Sequence, residues 1–294
     1  MQNEHYLNYM ELTSEYIKGY IEKNNEVNEL TCLLPKDDQS AGSVLRENGF
    51  RYIGRRMVEG KVMIVFRWFR DIDTRYEDMR SFFNRRAHDY ELHMSDSDDY
   101  YETSFVLLCK DIPNTNDKIT ILDLGCGTGA ELKYIFQKSP NAYVVCIDVA
   151  EEMLLKLREN YRDYSNNIET ICSSYFSANF GEECYDYAVA CSTLHHLLAE
   201  DKLNLYVSIK KGLKDKGCLL IADYAAKNLQ EEQSLRANYI ELINSGAIKK
   251  NEIYHIDLPL TMEHEVDLLE ASGFTCTRTE KMGDKGLIII SARS

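Results

Sequence analysis

The chain has 294 residues, 44% of them hydrophobic and 28% charged, and a formal net charge of −14. That length accommodates one large domain and a small one, and the composition excludes a disordered chain. No apolar run approaches the roughly 20 residues of a membrane helix, and no signal peptide precedes the first charges, so a cytoplasmic location is expected. The nine cysteines are scattered, and no two form a C-x-x-C pair. Several fall in predicted core strands, where a thiol acts as a small hydrophobe. A reduced protein with no structural zinc site or other metal centre is the expectation.

In chain order, residues 2–24 read as an amphipathic helix with Tyr6, Tyr9, Leu12, Tyr16, Ile17, Tyr20 and Ile21 on one face. A short strand (Leu30 to Leu34), Pro35 and a helix (Ser40 to Glu47) follow. Strands Phe50 to Val58 and Lys61 to Phe69 flank Glu59-Gly60 as a hairpin turn. Residues 1–70 hold 10 basic and 10 acidic residues, so the remainder carries the whole negative charge. An acidic surface repels a phosphate backbone, and nucleic acid is not an expected partner. A local exception is the segment with Arg51, Arg55, Arg56, Lys61, Arg67, Arg70, Arg75, Arg80, Arg85 and Arg86. Interleaved Glu59, Asp71, Asp73, Glu77 and Asp78 favour a solvated face over a nucleic-acid footprint. From Asp71 a long helix carries Tyr76, Met79, Phe83, Ala87, Tyr90 and Met94, and a polar break (Ser95 to Asp99) precedes a helix from Tyr100 to Lys110.

The most informative stretch is Ile121 to Gly129, a buried strand breaking into a glycine turn that opens a helix from Ala130 to Gln137. Such a turn before a helix N-terminus suits a nucleotide-type ligand. Gly125-x-Gly127-x-x-Ala130 also satisfies the dinucleotide pattern. However, Asp123 would repel a pyrophosphate and could pair with an amino group, and Gly125, Gly127 and Gly129 alternate so that a ligand can lie flat. A second strand, Tyr143 to Ile147, ends in Asp148, roughly 20 positions on, where a carboxylate accepts from ribose hydroxyls. A third (Glu169 to Cys172) leads to Ser173-Ser174-Tyr175. A fourth (Tyr185 to Cys191) runs into Ser192-Thr193-Leu194-His195-His196-Leu197, and a fifth (Cys218 to Ala222) ends at Asp223-Tyr224. Helices Leu229 to Ser245 and Met262 to Ser272 precede a final antiparallel pair, Phe274 to Glu280 and Gly286 to Ser291.

The D-x-G-x-G-x-G form of Asp123 to Gly129 resembles motif I of class I S-adenosylmethionine (SAM) methyltransferases. Asp148-Val149-Ala150-Glu151-Glu152-Met153-Leu154 is similar to that family's D-x-S-x-x-M-L, and Ser192 to Leu197 resembles the S-x-L-H-H-L of its ubiquinone and menaquinone type, which methylates small molecules. The resemblance implies an α/β fold: a Rossmann-like, seven-stranded sheet with helices on both faces over 71–294. It implies SAM as cofactor, S-adenosylhomocysteine as product, and cofactor contacts from Asp123, Gly125, Cys126, Gly127, Gly129, Asp148, Val149, Met153, Ser173, Ser174, Tyr175, Cys191 and Ser192. Many members carry an Asp near Ser173 to Tyr175 for the adenine amino group; here Ser174 or a backbone group would serve. Phe83, Ala87 and Tyr90 resemble the family's F-x-x-x-A-x-x-Y helix, which folds over the SAM pocket, placing Tyr90 on the ligand or in the core.

His195 and His196 are the candidate bases, although in this signature the segment more often shapes the cofactor pocket. Asp223, Tyr224 and His255, with Tyr90, complete the expected substrate pocket; His264 is a weaker candidate. Residues 41–54 resemble the helix, G-F-x-x-x-G and hairpin of GNAT acetyltransferases. The pyrophosphate loop is missing, so acetyl transfer is not implied, and residues 1–70 read as a small α+β module that covers the substrate or binds a partner. Three functions remain: methylation of a small molecule, methylation of tRNA through the arginine segment, and SAM binding without catalysis. No N-P-P-Y, D-P-P-Y or Pro-Cys motif supports base methylation. A homodimer is compatible with each.

Overall fold

The computed structural model describes residues 5–35, 38–70, 76–88, 90, 101–250, 252–283 and 286–294. These fall into two compact units, one within Met1–Glu77 and Arg85–Asp98, the other within Asp78–Asn84 and Asp99–Ser294. The sequence places the boundary earlier, at residue 70. Among the described residues no helix is long and apolar enough to cross a membrane.

The first unit holds β1 (His5–Leu7), α1 (Ser14–Lys23), β2 (Glu29–Pro35), α2 (Gln39–Glu47), β3 (Arg51–Val58) and β4 (Lys61–Phe69). Its sheet has the order β1-β2-β4-β3, with β1 parallel to β2 and the other pairs antiparallel. The single helix expected over residues 2–24 is instead a strand, a 3-10 turn (Tyr9–Glu11) and a helix. Two caps interrupt it: Asn8 accepts from the Met10 N–H, and Thr13 accepts from the Tyr16 N–H and starts α1 afresh. Ile17, Leu30, Leu34, Leu45 and Phe66 form the core of this unit.

Within the arginine segment Lys61 and Arg80 are exposed, but four other residues are engaged by the fold. Arg70 donates to the carbonyls of Ile21, Asn24 and Val27, and Arg67 pairs with Glu29 at 3.2 Å. Arg85 and Arg86 close on the buried Glu77 at 2.6 and 3.1 Å. These guanidiniums are spent inside the fold. Of the long helix expected from Asp71, α3 covers Met79–Arg86; Asp71 to Arg75, Asp89 and residues 91–100, with the expected polar break, lie outside the described residues.

The second unit continues with α4 (Tyr101–Leu108), β5 (Thr120–Leu124), α5 (Leu132–Lys138), β6 (Tyr143–Asp148), α6 (Glu151–Asn160), β7 (Ile168–Cys172) and β8 (Tyr185–Cys191). It ends with α7 (Ala199–Gly212), β9 (Leu213–Tyr224), α8 (Leu229–Asn244), α9 (Met262–Ala271), β10 (Thr275–Met282) and β11 (Leu287–Arg293). The seven strands lie in the order β10-β11-β9-β8-β5-β6-β7. β7, β6, β5, β8 and β9 are parallel, and β11 inserts antiparallel between β9 and β10.

Both faces are covered, so the central strands read as continuous apolar runs. Leu122, Leu124, Val145 and Ile147 pack with Tyr206 and Ile209 of α7 and Leu269 of α9. Ile121, Val144 and Cys146 pack on the opposite face with Ile135 of α5 and Leu154 of α6. The order reverses at β5, which has β6 on one side and β8 on the other. In open α/β sheets that reversal opens a ligand crevice at the carboxyl ends of the strands.

Candidate active site

Past the end of β5 the Gly125 and Cys126 N–H groups donate to the Ile147 carbonyl at 2.8 and 3.2 Å, fastening the turn to β6. Gly125 has φ +66°, and a Cβ there would lie 2.2 Å from Thr193 Oγ1, so only glycine fits. Gly127 differs. At φ +50° its Cβ would meet nothing within 4 Å, so the backbone there borders open space in which a flat ligand can approach. Its N–H donates to Asp148 Oδ2 at 2.9 Å, while Ala150 N–H donates to Oδ1 at 2.8 Å. Burial raises the Asp148 pKa against the opposing pull of these N–H groups.

Asp123 is 1% exposed and hydrogen-bonds Glu131, itself 4% exposed. Burial first, then the Glu131 charge, lifts the Asp123 carboxyl well above the usual range. Two buried acids side by side make a receptor for a cation. Glu131 escapes a sequence reading because the helix expected from Ala130 begins at Leu132, leaving it in the turn. At the end of β7, Ser173 N–H donates to the Asp148 carbonyl at 2.9 Å. The Ser174 hydroxyl accepts from Phe176 N–H, and Tyr175 Oη is 3.4 Å from Thr193 Oγ1. Burial pushes the Tyr175 phenol up to about 12. Met153 is fully buried in the first turn of α6, and Val149 is half-buried. The turn, Asp148 and Ser173 to Tyr175 therefore meet at the carboxyl edge of the sheet, with Gly127 bordering open space.

Past Cys191, Ser192 adopts φ +49° and donates to the Ala222 carbonyl at 2.8 Å, bending the chain into a 3-10 turn over Leu194–His196. Asp223, 3% exposed at the end of β9, gathers this turn. Its Oδ2 accepts from the N–H groups of Leu194 and His195 at 2.7 and 3.1 Å, and its Oδ1 from Tyr224 N–H at 2.8 Å. Oδ1 also lies 2.5 Å from His195 Nδ1. Burial alone would raise Asp223, but His195, Lys202 and the Tyr224 N–H together hold it below its ordinary 3.8.

His196 Nδ1 is 3.2 Å from the Ile256 carbonyl. Burial, helped by His195 and His255, keeps this imidazole well below 6.5 and therefore neutral. The His195 and His196 rings are 3.9 Å apart, Tyr224 stands edge-on to His195, and His255 stacks on Phe82 at 3.4 Å. Thus His195, His196, Asp223, Tyr224 and His255 converge. His264 does not: it binds Glu232 at 2.7 Å in a neighbouring cavity of about 760 Å³ bordered by Leu197, Arg236, Leu258 and Thr261. Tyr90 is a half-buried residue of the first unit. Asp257 is an addition that no motif flagged. Its Oδ1 lies 3.7 Å from His195 Nε2 and 3.4 Å from His196 Nδ1.

Residues 121–217 match the family described as Methyltransferase domain. A carboxy-S-adenosyl-L-methionine synthase of Helicobacter pylori (strain Shi470) is 28% identical over 173 residues, which span 55% of this chain and 70% of that protein. A phosphoethanolamine N-methyltransferase of Plasmodium falciparum (isolate 3D7) is 25% identical over 169 residues, 58% of each chain, so this chain spans little more than half of that relative. Among solved structures, a 1,6-didemethyltoxoflavin-N1-methyltransferase of Burkholderia thailandensis, with S-adenosylhomocysteine bound, superposes with a TM-score of 0.54. It is 16% identical and covers 74% of this chain and 87% of its own, a likeness of fold. Strand order, glycine turn and family match agree: residues 121–217 match a methyltransferase domain, and the fold around them is like that of a SAM-dependent methyltransferase of known structure.

Proposed function

We propose that the protein methylates a small molecule at the carboxyl edge of β5, β8 and β9, with His195 as the base for an acceptor that must lose a proton. The observation that carries this reading is the His195–Asp223 pair, closed at 2.5 Å and buried. SAM supplies a methyl group on a sulfonium, whose departure needs no covalent help from the protein. The protein's part is to bind, orient and keep water away, and positioning alone can contribute roughly 7–11 kcal/mol. Asp148 accepts from the ribose hydroxyls, the Asp123–Glu131 pair receives the amino group, and Ser174 or its backbone meets the adenine. Asp223 accepts the Nδ1 proton of His195 and so points the Nε2 lone pair away from itself, towards an acceptor. His196, held neutral, shapes the wall.

The −14 charge and the internally engaged arginines favour a small molecule over tRNA. The first unit serves as a substrate cover or partner module, and the protein works in the cytoplasm. Relatives that make carboxy-SAM support a second reading, in which SAM itself is remodelled. Incubation with SAM and fractionated metabolites, followed by mass spectrometry, separates the two. Formation of S-adenosylhomocysteine and of a product 14 Da heavier, both lost in His195→Ala with SAM affinity kept, is expected. A modified SAM with no methylated product, or full turnover by His195→Ala, contradicts the proposal.

A further inference from the structure

We infer that His195, His196 and Asp257 form a site for a divalent transition metal of the zinc class, with one position left for water or an acceptor atom. Each residue offers a ligand atom, and the three atoms lie within 4.8 Å of one another. The separations are informative. His195 Nε2 to Asp257 Oδ1 is 3.7 Å, and His196 Nδ1 to the same oxygen is 3.4 Å. With metal–ligand bonds of about 2.0–2.2 Å, tetrahedral geometry sets neighbouring ligands roughly 3.3–3.6 Å apart, whereas an octahedral ion would draw them to about 3 Å. The two carboxylate–imidazole separations thus lie nearer the wider, tetrahedral spacing than the octahedral one. Two imidazoles and one carboxylate suit zinc or its neighbours and not calcium or magnesium, which take oxygen ligands.

The supporting contacts fit as well. Ligating histidines characteristically give their other ring nitrogen to a carboxylate, which fixes the ring and raises its basicity. Asp223 Oδ1 sits 2.5 Å from His195 Nδ1, leaving Nε2 directed at Asp257. Ring contacts with His195 at 3.9 Å and His255 at 4.9 Å brace His196. Coordination through its Nδ1 takes the tautomer protonated on Nε2 and gives up the 3.2 Å contact to the Ile256 carbonyl. The two histidines are 6% and 5% exposed, while the Asp257 side chain is 66% exposed, so an ion can enter from the Asp257 side. A bound ion would occupy the His195 lone pair, so the ion-loaded site and His195 as a free base are alternative states; an acceptor in the open position would be acidified by the ion and pass its proton to water. The cobalt readout does not depend on methyl transfer, so the two readings are tested separately.

Cobalt(II) titration of the full chain, stripped with chelator and kept reduced, tests the inference. One equivalent should produce the intense visible d–d bands of a tetrahedral nitrogen–oxygen site, without the ultraviolet charge-transfer band of a thiolate. Asp257→Ala, at an exposed position that leaves the fold alone, should weaken cobalt at least tenfold. Asp223→Asn should weaken it about 10- to 100-fold through the ring it orients. Absence of these bands, a spectrum dominated by thiolate, or equal affinity in Asp257→Ala overturns the site.

Discussion

His195 Nδ1 and Asp223 Oδ1 are 2.5 Å apart, joining the turn after β8 to the end of β9. The same carboxylate accepts the backbone N–H groups of Leu194, His195 and Tyr224, so it fixes both the ring and the loop that carries it. An imidazole so oriented has a defined tautomer, whereas an amide in place of Asp223 can present its NH₂ to the ring and reverse it. Asp223→Asn should therefore lower kcat by about 10²–10⁴ while SAM affinity changes little. Steady-state kinetics beside SAM calorimetry make the check; a parallel fall in both would assign Asp223 to the cofactor pocket.

The same pair sets the acid stability. Asp223 in the fold lies below its ordinary 3.8 despite burial, because His195, Lys202 and the Tyr224 N–H stabilise the anion. A carboxyl depressed on folding adds stability that is fully present above the unfolded value and is lost as pH falls through the folded one. Urea unfolding should thus weaken below about pH 4, and His195→Ala should move that limb to higher pH. An unmoved limb would show that the histidine does not hold the charge.

Lys202 of α7 and Glu265 of α9 form a buried pair at 2.5 Å, and the Tyr206 hydroxyl donates to the same carboxylate. Lys202→Met leaves a carboxylate in the core and should cost about 3–5 kcal/mol. Lys202→Met with Glu265→Gln should recover most of that, because the amide oxygen still accepts from Tyr206 while the charge is gone. Chemical denaturation of the two variants gives the comparison, and equal losses would mean that packing, not charge, dominates.

The parallel sheet was legible because both its faces are buried, so Val144–Ile147 and Leu219–Ala222 stand out as unbroken apolar runs between turns, and Ile121–Leu124 as one broken only by Asp123. Asp148 and Asp223 were legible as acids at strand ends. Glu131 and Asp257 were not, since each becomes significant only through a neighbour distant in the chain or across a turn. Residues 2–24 misled because aromatic spacing cannot show that Asn8 and Thr13 cap backbone N–H groups in the middle of the run. Arg70 is misread for a related reason: its partners are backbone carbonyls, which no side-chain pattern reveals.

Calorimetric titration of SAM into the parent protein, Gly127→Val and Asp148→Ala tests the central claim most directly. Gly127 borders open space at φ +50°, so valine costs roughly 1–2 kcal/mol of backbone strain yet fills the room a flat ligand needs. The account predicts one SAM site in the parent, no detectable heat in Gly127→Val with its unfolding transition retained, and affinity at least tenfold weaker in Asp148→Ala. Binding as tight in both variants as in the parent would contradict it.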